Sequence, residues 1–376
     1  MVEPSALASE LVGQEPAVEI LTKAVAAADE LLSGGAGTGM THAWLFTGPP
    51  GSGRSNAAKA FAAQLQGSLT AEHPDISVIA TDRLSIDVAE VRELVRKSAL
   101  RPAMGRWQII IIEDADRLTE KAADALLKSL EEPSERTLWL LCAPTPEDVI
   151  VTVRSRTRHV LLRTPPQAAI AELLQRRNGV DEQTAVFAAQ ASQGHIGRAV
   201  ALATKPDFRE RRFNILSMPV KLRSLADALQ MAGELEAAAK ENAEHVATEL
   251  DAKELAELRE SWGVEDRGRR PAGFAGQLSE METGHKRRRT RLVRDSIDGA
   301  LIELLSFYRD VLTQQVAPGT QLVNSDFVND IQRIAKETTA NSTLKKLTAI
   351  GECREALSAN AAALLALETL MVELIW

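Results

Sequence analysis

The sequence predicts a doubly wound parallel α/β module, then a small helical lid, then an all-helical C-terminal domain. Three observations carry that prediction. A glycine-rich loop, Thr47-Gly48-Pro49-Pro50-Gly51-Ser52-Gly53-Arg54-Ser55, lies between the apolar run Ala43–Phe46 and the Ala-rich run Asn56–Leu65, giving strand, loop and helix in order. Two continuous apolar runs, Trp107–Ile112 and Thr137–Cys142, alternate with helix-periodic segments, as strands buried on both faces of a parallel sheet do. Beyond Thr164-Pro165-Pro166 the strand signals stop and Ala and Leu dominate, with aromatics at only 4%, which favours helices packed through aliphatic side chains. The boundaries are expected at residues 1–165, 166–206 and 207–376.

Taken in order, Leu11-Val12-Gly13-Gln14-Glu15-Pro16 reads as a short loop before an amphipathic helix with Val18, Leu21, Val25 and Leu31 toward one side. Ser33–Gly39 is a loop leading to the glycine unit. Ile76–Ala80 is a second strand, and Ser85-Ile86-Asp87 opens a helix that turns Val88, Val91, Leu94 and Val95 inward. A helix over Lys121–Glu131 is stopped by Pro133. Arg158–Leu162 is the last strand, with Arg154–Arg158 read as extended so that Arg154, Arg156 and Arg158 project to one side. Short helices over 167–204 are punctuated by Gly194 and Gly197. Leu222, Leu225, Leu229 and Ala232 mark a long helix running toward Glu260, a looser segment spans Gly263–Gly284, and Val293, Ile297, Leu301, Leu304 and Tyr308 mark the next helix. The last helix is expected over about Leu357–Ile375.

A length of 376 residues allows two or three domains with a sizeable core. The formal net charge of −8 excludes chain-wide binding to polyanions, so any nucleic-acid contact must be local. The strongest basic run, Lys286-Arg287-Arg288-Arg289 with Arg291 and Arg294, is expected to start a helix. No aromatic interleaves it, so it reads as a solvated helix start or a salt-bridge face between subunits rather than a base-stacking surface. Cys142 and Cys353 are too few for a disulfide framework or a four-cysteine zinc site. There is no 18-residue apolar run and no signal-peptide pattern, so a cytoplasmic protein without a membrane partner is expected.

The glycine loop carries the chemistry. Glycines let successive backbone N–H groups turn inward, and the following helix adds its positive end, so Gly48, Gly51, Gly53, Arg54 and Ser55 form a candidate phosphate nest. Ser55 stands where a hydroxyl would ligate Mg²⁺. Arg54 occupies the place of the usual Lys, and a planar guanidinium fork does not reproduce a slender ammonium reaching between phosphates. At the end of the Ile109–Ile112 run, Glu113-Asp114 occupies the place of the acids that hold metal and polarise water. Their order is reversed. Glu113 is one methylene too long for the metal and Asp114 one short for the water, and a displacement of about 1 Å costs roughly a hundredfold in rate.

Ile112-Glu113-Asp114-Ala115-Asp116-Arg117-Leu118, followed by Ala125-Leu126-Leu127-Lys128-Ser129-Leu130-Glu131-Glu132-Pro133, resembles the AAA+ clamp-loader ATPases. Val153-Arg154-Ser155-Arg156-Thr157-Arg158 is similar to their Ser-Arg-Cys motif, with Thr157 in place of Cys, and Val12-Gly13-Gln14 is similar to their opening motif. The resemblance covers residues 10–205 with motifs and is weaker beyond. Within the family it points to a bacterial, actinobacterial-type member that does not hydrolyse ATP. Arg54, the exchanged acids, Ala143-Pro144 where a polar sensor belongs, and Gly197 with Arg198 one place late in the second sensor motif all depart from an active ATPase.

What the resemblance implies is a component of the replicative polymerase III holoenzyme without independent ATPase activity. It would stand in a five-subunit ring with tau/gamma and delta subunits that places a sliding clamp on primed DNA. Arg156 would act in trans on a neighbouring subunit's ATP site, and the C-terminal helices would form the oligomerisation collar. No cofactor is required; the degenerate loop would take ATP or ADP with Mg²⁺. No zinc is expected, because only Gln66–Glu72 fills the gap where many relatives carry a four-cysteine module, and His73 alone is a loop-packing residue. The rival reading is an ATP-hydrolysing tau/gamma-like motor subunit.

Overall fold

Five strands form a parallel sheet in the order β2-β3-β4-β1-β5: β1 Ala43–Thr47, β2 Ile76–Ile79, β3 Gln108–Ile112, β4 Thr137–Ala143 and β5 Arg158–Leu161. The computed structural model describes residues 7, 10–68, 70–79, 85–264, 271 and 273–375; Ala80, expected to end β2, lies outside them. The chain divides into two units, Met1–Lys205 and Pro206–Trp376.

In the first unit successive side chains alternate between two cores, as the pleat requires. Trp44, Phe46, Ile109, Ile111, Leu138, Leu140 and Cys142 face α1 (Glu15–Leu32) and α2 (Arg54–Gln66). Leu45, Ile110, Ile112, Trp139, Leu141 and Ala143 face α3 (Val88–Ser98) and α4 (Glu120–Glu131). Helices therefore cover both faces, and the apolar runs read as strands are buried throughout. The short gap Gln66–Glu72 is bracketed by two buried polar anchors. Gln66 Oε1 accepts the N–H groups of Arg106 and Trp107, and the Asp75 carboxylate accepts those of Ala103, Met104 and Gly105. Burial works against ionisation of Asp75, but the three backbone donors outweigh it and hold its carboxyl below the usual range. A short helix α5 (Val151–Arg154) precedes β5, and α6 (Gln167–Asn178), α7 (Glu182–Ala191) and α8 (Ile196–Thr204) complete this unit.

The second unit is helical: α9 Pro206–Lys221, α10 Leu225–Ser261, α11 Phe274–Val316, α12 Val328–Glu337, α13 Ala340–Ser358 and α14 Ala363–Glu373. Ile297, Leu301, Leu304, Phe307 and Tyr308 fill its core. Three expectations are corrected here. The looser segment is shorter than Gly263–Gly284, because α11 begins at Phe274, where Trp262 packs edge-on against the Phe274 ring and its Nε1 donates to Gln277. The basic run Lys286–Arg294 consequently lies inside α11 rather than at a helix start. The final helix is also divided, since Asn360 at φ 68° interrupts it between α13 and α14.

Candidate nucleotide loop and arginine turn

Parallel strands bring their C-terminal ends to one edge of the sheet, and the order places β4 between β3 and β1. The glycine loop after β1, Glu113-Asp114 after β3 and Ala143-Pro144 at the end of β4 therefore converge, as the sequence pattern implies. The Gly48 N–H donates to the Pro144 carbonyl at 3.1 Å, fastening the loop to the very segment where a polar sensor was expected and is missing. Gly48 has no room for a side chain: a Cβ there would stand 2.5 Å from the Leu162 carbonyl oxygen and 2.6 Å from Ser52 Oγ. Gly51 sits at φ +81°, and a Cβ on it would meet His195 Cγ at 2.2 Å. Gly53 precedes α2, whose first residues are Arg54 and Ser55. The first N–H groups of such a helix have no acceptor within it and are the donors an anion would use.

The charged groups of the loop are engaged within the chain. Arg54 Nη1 donates to the Gly48 carbonyl at 2.8 Å, so the guanidinium turns back on its own loop. Glu113 forms an ion pair with Lys59 Nζ at 2.6 Å. Asp114 precedes a short 3-10 turn, Ala115–Arg117, and its carbonyl accepts the Arg117 N–H at 3.0 Å. Burial, with the Asp114 charge adding to it, raises the Asp116 carboxyl above its usual value. Lys59, one turn of helix beyond Ser55, is a residue the motif reading missed; its position on the sheet-facing helix was the available signal.

His195 is the second missed residue. Its Nδ1 accepts the Arg198 N–H and so caps α8, while the neighbouring Ile196 N–H donates to the Gly51 carbonyl at 3.2 Å. Nδ1 as acceptor leaves the proton on Nε2 of a neutral ring. Burial, reinforced by the Arg198 charge, lowers the pKa of this imidazole. The expected second sensor segment thus closes onto the glycine loop through His195, with Gly197 and Arg198 following inside α8.

The arginine turn departs from its predicted form. Arg154–Arg158 is not one extended stretch: Arg154 ends α5, Ser155 and Arg156 form a turn, and β5 begins at Arg158. The three cations consequently do not share one face. Arg154 donates to the Pro146 carbonyl and lies 3.6 Å from Glu147. Arg158 donates to the Gly39 carbonyl and stacks its guanidinium 5.0 Å over the Trp44 ring. Arg156 donates from Nε to Glu131 Oε1 at 2.8 Å, and its Nη2 also contacts that oxygen. The sequence neighbourhood of Arg156 holds no acid; its partner comes from the end of α4.

The basic run on α11 likewise finds partners within its own unit. Arg288 pairs with Asp251 and Glu254, and Arg289 with Glu244 and Asp251, all on α10. His285 joins them at 2.9 Å from Glu254. The run was expected to be a solvated helix start or a salt-bridge face between subunits; the described pairs lie instead between two helices of this chain.

Residues 26–166 match the family described as DNA polymerase III, delta subunit. The chain is 32% identical over 200 residues to the DNA polymerase III subunit gamma/tau of Mycobacterium tuberculosis, covering 48% of this chain and 33% of that one. It is 33% identical over 141 residues to the delta' subunit of Escherichia coli, covering 37% and 42%. It is 23% identical over 337 residues to the delta' subunit of Bacillus subtilis, covering 85% and 87%. The chain thus spans about a third of the length of the gamma/tau relatives it matches. Among solved structures, a Thermotoga maritima RuvB mutant aligns with TM-score 0.43 at 21% identity over 57% of this chain and 67% of that one. A gamma subunit-related protein from the same organism aligns with TM-score 0.40 at 15% identity over 88% and 99%. At such scores the likeness supports nothing further. The parallel sheet, the glycine loop and these matches support a likeness to the AAA+ clamp-loader family, and within it to the delta' subunits.

Proposed function

We propose that this chain is the delta-prime subunit of a bacterial DNA polymerase III clamp loader, a ring member that does not itself turn over ATP. The observation that carries the reading is the state of the loop's charges. Arg54 turns its Nη1 onto the Gly48 carbonyl and Glu113 pairs with Lys59, so both carry contacts within the chain. With Ala143-Pro144 offering no side-chain donor, three separate groups needed for hydrolysis are out of place. The backbone of the loop still fits a phosphate group: the donors at the start of α2, with Ser55 there for Mg²⁺, would hold ATP or ADP. Metal and nucleotide together would supply charge neutralisation but no aligned attacking water.

The proposed role toward partners is the opposite one. Arg156 would serve a neighbouring tau/gamma subunit's ATP site in the five-subunit ring, and the helices of the second unit would carry assembly with tau/gamma and delta. Contact with the sliding clamp and primed DNA would come through the complex, in the cytoplasm. No helix among the described residues is long and apolar enough to cross a membrane. The 32% identity to gamma/tau relatives supports the rival reading of a motor subunit. ATP hydrolysis by the purified chain separates the two. The delta-prime reading expects negligible turnover, unchanged by Arg54→Lys because the acids and the sensor remain wrong. DNA-independent turnover that disappears with Ser55→Ala would overturn it.

A further inference from the structure

The hold on Arg156 is more specific than a surface ion pair needs to be. A guanidinium has five N–H donors. Glu131 Oε1 takes the side edge, from Nε at 2.8 Å and from Nη2. The Thr152 carbonyl takes one Nη1 hydrogen at 2.7 Å, and Ser155 Oγ lies farther, at 3.3 Å, from the same nitrogen. Among the described residues, the second Nη2 hydrogen has no acceptor. The side edge is thereby fixed, while the opposite end, where Nη1 and Nη2 form a fork, keeps one unused donor and one weakly used donor. The arginine side chain is 34% exposed and that of Glu131 is 48% exposed, so the fork remains open to an approaching anion.

We infer that Glu131 is a positioning residue for Arg156: it grips the guanidinium by its side edge and presents the Nη1/Nη2 fork to a phosphate from a neighbouring subunit. This rests on the reading of Arg156 given above. The physical basis is preorganisation. A free arginine loses several rotatable bonds' worth of freedom when it engages a phosphate, whereas one already held in place by two bonds to a carboxylate and one to a carbonyl has lost most of it beforehand. Glu131 also follows from where it stands. It is the last residue of α4, and the turn that carries Arg156 packs beside that helix end. The acid in the Leu130-Glu131-Glu132-Pro133 stretch thus has a use distinct from stopping the helix.

The test is a double-mutant cycle in the reconstituted clamp-loader assembly, measuring DNA- and clamp-stimulated ATP turnover. Glu131→Ala should lower kcat at the affected site by about tenfold, inside the roughly hundredfold that 1 Å of misplacement costs, with KM for ATP little changed. Glu131→Gln should retain most of the rate, since its amide oxygen still accepts from Nε and Nη2. In an Arg156→Ala background, Glu131→Ala should cost nothing more. A full additional loss there, or a wild-type rate for Glu131→Ala alone, would overturn the inference. In the isolated chain, the Arg156 Nε–H resonance should be slowly exchanging in the parent and in Glu131→Gln but not in Glu131→Ala; equal exchange in all three also overturns it. If Arg156→Ala by itself leaves turnover unchanged, the reading of Arg156 fails, and the resonance still reports whether Glu131 holds it.

Discussion

The glycine loop follows β1 and the arginine turn leads from α5 into β5 of the same sheet, and both carry an arginine engaged inside the chain, yet they are built to different ends. The loop is enclosed. Gly48 is bonded to Pro144, Gly51 is pressed against His195, and Arg54 closes onto Gly48. The turn is open, its Arg156 held by a half-exposed carboxylate on one edge only. Arg54 turns a fork nitrogen, Nη1, back onto its own loop, whereas Arg156 is gripped from the side and keeps its fork available. The contrast teaches that the same residue type serves as packing in one place and as a presented cation in the other, according to which of its donors are consumed.

Breaking the open side of that contrast should have the largest effect. Arg156→Ala in the assembled loader should lower ATP turnover at one site by about 10³–10⁵-fold, the range of an arginine finger, while leaving assembly intact. Arg156→Lys should rescue little, because an ammonium lacks the fork that spans two oxygens. Turnover at the parent rate in the alanine variant would leave Arg156 a surface residue.

Breaking the enclosed side should appear in stability instead. Gly51→Ala places a Cβ at 2.2 Å from His195 Cγ and 2.6 Å from its Cα, at a φ of +81°. Overpacking and left-handed strain together should cost about 2–4 kcal/mol, read as a lowered thermal midpoint of the isolated chain. A variant that melts with the parent would show that the loop is not locked to α8.

A smaller effect is expected from pH. Burial lowers the pKa values of both His195 and His159. Below about 6.5, the ordinary histidine value, the unfolded chain therefore binds more protons than the folded one at these two sites. Their contribution to stability is complete above that pH and is lost as pH falls toward the lowered folded values. The unfolding midpoint should drop between pH 7.5 and pH 5.5, and His195→Asn, which keeps a capping side chain, should flatten the slope. A slope identical in that variant would remove His195 from the account.

The smallest effect sharpens the comparison most cleanly. Arg156→Ala should change the stability of the isolated chain by no more than about 1 kcal/mol, as expected for an exposed ion pair. A larger loss would make the turn structural, like the loop.

The sequence by itself determined the elements whose signals are local. Ile109–Ile112 and Thr137–Cys142 lie inside buried parallel strands, because a run without polar alternation has nowhere to stand but between two helical layers. The loop from Gly48 to Gly53 is legible for a similar reason, since close approach and left-handed backbone leave glycine little competition. Where one helix ends and the next begins was harder to read. Asn360 ends α13 through a left-handed conformation, and α11 starts at Phe274, beside Trp262, well ahead of the periodic stretch that opens at Val293.

Only the tertiary structure decided which charges meet. Arg156 and Glu131 are 25 residues apart, Arg288 and Asp251 are 37 apart, and Lys59 reaches Glu113 across the sheet edge. No periodicity links such partners. Their pairing depends on the position of α4 beside the turn, of α10 beside α11, and of α2 beside β3, which follow from packing apolar faces rather than from the charges themselves. The sequence names the ionic groups, but the hydrophobic core chooses their neighbours, and with them whether an arginine is spent inside the chain or held ready for another.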